Sequence, residues 1–215
     1  DYERYKYMFR SDPMNDTWLG YQLFYMAGQF QIPKLSALFG SPLRAYVIAE
    51  DLTWAEAVLD VLEESAPDLG LNIVDIGRPS SIETDFGPFL DAIEGSGAKL
   101  IIHVFSAVAG ASFIKQWGER KVKAVPIGIN VESQMLEFYA SVGGKCEYET
   151  IMSALGTRSN INPDAKPLST TEFWDTYSAR FGHAPIYTAW GGYLLPLLLN
   201  KTAAQWIGKT CDQII

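Results

Sequence analysis

Residues 44–50 read Arg-Ala-Tyr-Val-Ile-Ala-Glu, and residues 53–65 read Thr-Trp-Ala-Glu-Ala-Val-Leu-Asp-Val-Leu-Glu-Glu-Ser. The first is a short apolar run of strand length, which predicts a buried strand over Arg44–Glu50. The second places Val58, Leu59 and Leu62 on one face at helical spacing, which predicts a helix over Thr53–Ser65. The same alternation continues downstream. Strands are expected over Asn72–Ile76, Lys99–Phe105, Val122–Ile129 and Tyr148–Leu155. Helices are expected over Glu83–Glu94, with Phe86, Phe89, Leu90 and Ile93 at core spacing, and over Ala109–Trp117 and Glu132–Ser141. Pro126 lacks an N–H, so its strand accepts it only at an edge or at a strand end. Repeated strand–helix pairs imply an α/β fold with a parallel sheet sandwiched by helices on both faces.

The flanks read differently. Aromatic content predicts a strand over Tyr5–Phe9, followed by a loop at Ser11–Asp16 in which Pro13 and Asp16 are helix-start residues. Trp18–Phe30 has broad apolar periodicity and reads as a helix, and Gly40-Ser-Pro42 closes that segment. Gly156–Thr171 is rich in Asn, Pro, Ser and Thr and reads as a loop or crossover. Helices are then expected over Thr171–Phe181 and from Thr188 to about Ile207, the latter broken at Gly191-Gly192 and Pro196.

Composition removes several functions. The 215 residues are 48% hydrophobic and 20% charged, ordinary for a globular chain. The net charge is −8, and the densest basic run, Glu119-Arg-Lys-Val-Lys123, is short. Nucleic acid requires clustered Lys and Arg to displace counterions, and an anionic membrane surface requires the same. No apolar run is long enough to span a bilayer. The start, Asp1–Lys6, reads as the interior of a longer chain, so an export signal or a membrane anchor is expected upstream. Cys146 and Cys211 have no metal-ligand spacing and read as free thiols.

Catalytic chemistry finds little support. Nucleophilic catalysis needs a nucleophile held beside a base, and the chain has two histidines. His103 lies inside an apolar strand and reads as a satisfied core residue. His183 follows Gly182 at an expected helix C-terminus, where a cation is mildly favourable. There is no G-x-S-x-G elbow. The first strand–helix turn, Glu50-Asp-Leu-Thr-Trp54, contains no glycine, which argues against a phosphate cradle. No cofactor and no metal site are expected. Parallel sheets bind ligands beyond the carboxyl ends of their strands. There the sequence places Asp51 and Trp54, then Ser106 and Ala107, then Asn130 and Glu132. Polar, small and aromatic groups together suit a pocket for a small polar molecule. The plainer alternative is that Glu50 and Asp51 cap a helix while Trp54 fills core.

The ordered segments resemble those of type I periplasmic solute-binding proteins, the branched-chain amino acid binding proteins and their relatives. Tyr7-Met-Phe-Arg-Ser-Asp-Pro-Met-Asn-Asp16 is similar to the crossover between the family's two lobes. Tyr46-Val-Ile-Ala-Glu-Asp-Leu-Thr-Trp-Ala-Glu56 is similar to its strand, acidic turn and helix, with Trp54 where Tyr is usual and Ala55 where Gly is usual. Ile82-Glu-Thr-Asp-Phe86, Ala98-Lys-Leu-Ile-Ile102, Gly128-Ile-Asn-Val-Glu132 and Phe181-Gly-His-Ala-Pro-Ile-Tyr187 through Tyr193 continue the series. The resemblance implies a two-lobed binding protein of which one lobe is incomplete. Residues 1–11 would be a lobe-one strand and hinge, 12–155 lobe two, and 156–215 a return crossover with lobe-one helices. It implies capture of a small polar solute (amino acid, amide, urea-like or small carboxylate) by closure of the lobes. ABC transporter permease subunits would be the partners, and the place of work the periplasm or cell surface. Trp54, Ser106, Ala107, Asn130, Glu132 and Asp51 would meet the ligand. Asn130 stands where amino acid binders carry an acid, which argues for a remodelled pocket. The alternative is a ligand-sensing domain of a receptor or regulator with the same fold.

Overall fold

The computed structural model describes residues 4, 15–106, 108–153, 168–209 and 213. The expected strand at Tyr5–Phe9, most of the expected crossover at Gly156–Thr171, Ala107 and Cys211 lie outside the described residues. The chain divides into two compact units, residues 16–154, and residues 1–15 with 155–215.

The larger unit runs α1 (Asp16–Gln29), α2 (Gln31–Phe39), β1 (Leu43–Ala49), α3 (Thr53–Ser65), β2 (Leu71–Gly77), α4 (Gly87–Ser96), β3 (Leu100–Phe105), α5 (Ala109–Arg120), β4 (Val125–Asn130), a 3-10 turn (Glu132–Gln134), α6 (Phe138–Ser141) and β5 (Thr150–Ile151). All strand pairs are parallel, in the order β2-β1-β3-β4-β5. The order reverses between β1 and β3, the switch point of the sheet.

Alternate residues of each strand enter opposite cores. Ala45, Val47, Leu100, Ile102 and Ile127 pack beneath α1 and α3 with Leu23, Phe24, Val58 and Leu62. Tyr46, Ile48, Ile101 and Phe105 face α4 and α5 with Leu90, Ile93, Phe113 and Ile114. Every residue of β3 is buried. This is why its sequence reads as a continuous apolar run and not as an alternation. Within the second core Phe86, Phe105 and Phe113 form edge and tilted ring contacts at 5.4–6.0 Å.

Several expected boundaries move, each for a local reason. The helix expected from Glu83 begins at Gly87. The Glu83 carboxylate accepts from the N–H groups of Thr84 and Asp85, and Asp85 accepts from Gly87. These short-range bonds offer the backbone an alternative to the helical turn. The helix expected over Glu132–Ser141 is interrupted at Met135, whose ψ of 143° is extended. Ser133 and Gln134 are tied across to Glu149 and Ser153 instead. Of the strand expected over Tyr148–Leu155, whose last two residues lie outside the described ones, Thr150–Ile151 forms; Tyr148, at φ of 74°, stays out of it. A second short helix, α2, follows α1 and was not expected.

Pro126 sits as its chemistry requires. Val125 and Val131 donate to Lys99 and Phe105, so odd residues of β4 donate toward β3. The nitrogen of Pro126 therefore faces the outer side, where β5 reaches only Ile127 and Gly128.

In the smaller unit, α7 (Thr170–Phe181) opens with a capping box. Ser169 Oγ accepts from the Glu172 N–H and Glu172 Oε2 accepts from the Ser169 N–H. Gly182, at φ of 78°, closes it. Helix α8 (Tyr187–Trp206) runs unbroken through Gly191-Gly192 and Pro196. Pro196 lacks the N–H that would donate to the Gly192 carbonyl, and the helix continues past that one lost bond.

Replacing Phe113 by Ala should lower stability by about 3–5 kcal/mol, since it empties a fully buried ring site. A urea titration followed by circular dichroism reads this as an earlier midpoint. Lys115→Ala on the exposed face of the same helix should shift stability by less than about 0.5 kcal/mol.

Candidate functional site

Glu50 is the first residue beyond β1, and its N–H still donates to Val104 of β3. Its side chain lies on the same sheet face as Tyr46 and Ile48, and it is fully buried. One oxygen, Oε1, accepts two bonds. Trp54 Nε1 donates to it at 2.6 Å, and Ser106 Oγ donates to it as well. Trp54 is one helical turn along the chain, in the first turn of α3, and Ser106 follows β3. The two strands on either side of the switch point are thus joined at their carboxyl ends through one carboxylate. The other oxygen, Oε2, is buried and meets no donor among the described residues.

The alternative of a simple helix cap does not hold for either acid. The cap residue of α3 is Leu52, with no side-chain cap. Asp51 is exposed and pairs with Arg78 at 3.4 Å, and the same Arg78 nitrogen also pairs with Glu56. Trp54 is half-buried against the first core. Ser106 is exposed.

Asn130, the last residue of β4, is fully buried and belongs to a second constellation. Its Nδ2 donates to Glu149 Oε1 at 3.0 Å, and Ser133 Oγ donates to the same oxygen at 2.8 Å. Asn130 Oδ1 lies against Gly110 of α5, where a Cβ would stand 2.3 Å from it. Only glycine admits that approach. Glu132 is half-buried in the 3-10 turn. His103 is fully buried on the same face, with Nε2 3.3 Å from Glu149 Oε1. That contact is at ion-pair distance without hydrogen-bond alignment, and Nδ1 has no partner. The expectation of a satisfied core histidine is therefore met by its burial and not by its hydrogen bonding. Burial first, and the Glu149 charge second, push the Cys146 thiol up from its ordinary range, which keeps it protonated and a poor nucleophile at neutral pH. His183 is exposed, with Nδ1 3.0 Å from the Ala184 carbonyl oxygen.

The structure thus gathers Trp54 and Ser106 around Glu50, sets Asp51 beside them on Arg78, and binds Asn130 to a separate carboxylate. Sequence reasoning missed Arg78, Ser133 and Glu149. Glu149 is 19 residues from Asn130 and 46 from His103, separations that carry no periodic signal. A surface depression of about 950 Å3 lies elsewhere, lined by Trp18, Tyr21, Tyr25 and Glu64. Glu64 is in the last turn of α3, about 15–20 Å along the helix from Trp54.

Glu149→Ala should strand the buried amide of Asn130 and the hydroxyl of Ser133, at about 1–3 kcal/mol for each donor left unpaired. Ser133→Ala removes one donor and should cost about 1 kcal/mol. Thermal unfolding of both variants checks the order. A larger loss in Ser133→Ala would remove Glu149 as the hub.

Among curated proteins no relative matches this sequence. Among solved structures, a solute-binding protein of an ABC transporter from R. palustris, in complex with benzoate, aligns with TM-score 0.66 at 15% identity, over 92% of this chain and 50% of that one. The leucine-, isoleucine-, valine-, threonine- and alanine-binding protein from Brucella ovis, in a closed conformation, aligns with TM-score 0.60 at 20% identity, over 83% and 42%. The amino acid ABC transporter substrate-binding protein from Pseudomonas fluorescens Pf-5 aligns with TM-score 0.60 at 16% identity, over 83% and 47%. The chain spans about half the length of these structures. The likeness fixes the fold, that of a type I periplasmic binding protein. Residues 1–213 match the family model described as periplasmic binding protein, and the chain belongs to that family.

Proposed function

We propose that the chain is part of the solute-capturing component of an ABC transporter, working outside the cytoplasmic membrane and delivering its cargo to permease subunits. One observation carries this reading. At the switch point of the sheet, where parallel α/β folds bind ligands, an exposed hydroxyl and a half-buried indole are fixed side by side on a buried carboxylate. A fixed hydrogen-bonding and aromatic wall orients a small molecule without converting it.

In this reading residues 12–155 supply one lobe, and 1–11 with 156–215 belong to the other. Trp54 and Ser106 meet the solute. Asp51 and Glu132 stand at the rim. Asn130 contributes from behind, by holding Glu149 and the 3-10 turn that carries Glu132. Membership of the family and the transporter proteins with the same fold support the assignment.

A thermal-shift screen of the intact natural protein tests it, against amino acids, amides, ureas, and small carboxylates including benzoate. A ligand that binds the native state alone raises the melting temperature, by about 2.7 kcal/mol of stability at a hundred times Kd. At least one class should give such a shift, and Trp54→Ala should abolish it while the variant stays folded. A folded protein that shifts with none of these solutes would overturn the reading.

A further inference from the structure

We propose that Glu50 sets the polarity of the solute wall, so that the cargo meets it with an N–H group (an ammonium, amidinium or amide) and not with a bare carboxylate. The inference rests on the solute-capture reading above and names the chemical class of the solute.

The argument is an inventory of protons. A serine hydroxyl has one proton to donate, a tryptophan indole has one N–H, and a carboxylate only accepts. Both protons go to Glu50 Oε1. What remains on the open side of Ser106 is lone pairs, and what remains of Trp54 is a ring without a free donor. Two residues that would otherwise offer donors to an anion are thereby turned into an acceptor and an aromatic face. Aromatic faces attract cations.

Charge points the same way. Glu50 is fully buried, and its Oε1 partners are two neutral groups. Its Oε2 meets no donor among the described residues. Arg78 carries positive charge at the same edge of the sheet; its Nη2 is shared by Asp51 and Glu56, and its Nη1 is buried without a partner among the described residues. Asp51 and Glu56 outnumber Arg78 at this edge, which favours a cation or an N–H dipole there over a second anion. Because Glu50 is buried, it acts through Ser106 and Trp54. It is a positioning residue, and its signature is selectivity between solutes.

The test measures Kd by calorimetry on the intact natural protein with three matched series: benzamidine, benzamide and benzoate; acetamidine, acetamide and acetate; leucine and 4-methylpentanoate. In a series that binds, the N–H member should bind at least tenfold tighter than the carboxylate that lacks an N–H. If only another solute of the screen binds, the ratio is read between that solute and its counterpart with N–H group and carboxylate exchanged. Glu50→Gln keeps one accepting oxygen, replaces the other by an NH2 donor and removes the acid, and should reduce the ratio at least tenfold. Ser106→Ala should weaken the N–H members and leave the carboxylates unchanged. Should Glu50→Gln not fold, the wild-type ratio and Ser106→Ala decide. A carboxylate that binds as tightly as its N–H partner, or tighter, overturns the inference while leaving solute capture intact. No binding by any solute overturns both.

Discussion

Strands buried on both faces leave polar side chains one place to live, the ends of the strands. Burying an amide or a carboxylate without a partner is costly, and the middle rows of β1, β3 and β4 are almost wholly apolar for that reason. His103 is the exception, one row below the end of β3. Glu50, Phe105 and Asn130 form the last row on the second face, in register across three strands. A phenylalanine separates two polar residues that must each find partners from the loops. The position of every loop at this edge follows from how those two needs are met.

The two needs are met in the same manner. Glu50 and Glu149 are each turned inward, and each gathers neutral donors on a single oxygen. Around Glu50 the donors come from α3 and from the end of β3. Around Glu149 they come from the end of β4 and from the turn behind it. In each case a carboxylate fastens chain just beyond the point where the backbone ladder ends. Hydrogen bonds to a charged acceptor are the stronger kind, so a few of them can hold loops that lack regular structure. Ser133 leaves the expected helix for this reason. Glu149 leaves the expected strand for the same reason.

What was legible in the sequence was what periodicity records. Thr53–Ser65 follows from Val58, Leu59 and Leu62, and its predicted bounds are the observed ones. The apolar runs of β1, β3 and β4 announce a sheet covered on both faces. Trp54 and Ser106 were expected beyond the carboxyl ends of β1 and β3, and they lie there because residues that follow the strands of a parallel sheet share one edge. The uses of Glu50, Asp51 and Asn130 were hidden, because each depends on a partner chosen by tertiary contact. The Ser106 bond spans 56 residues and the Arg78 pair with Asp51 spans 27. The proline and glycines of α8 misled for a related reason. A local breaker acts only where the surroundings cannot absorb a single lost bond.

One small feature governs how the molecule behaves in a crowd. A parallel sheet with an open outer strand is a template on which another chain can continue the ladder. Here the last strand is two residues long, and beneath it Pro126 turns a nitrogen without hydrogen toward the open side. A foreign strand approaching β4 at that row would find no donor to pair with. At that row the ladder is ended by the chemistry of the proline. That gives this edge of the sheet a built-in resistance to strand addition from another copy of the chain.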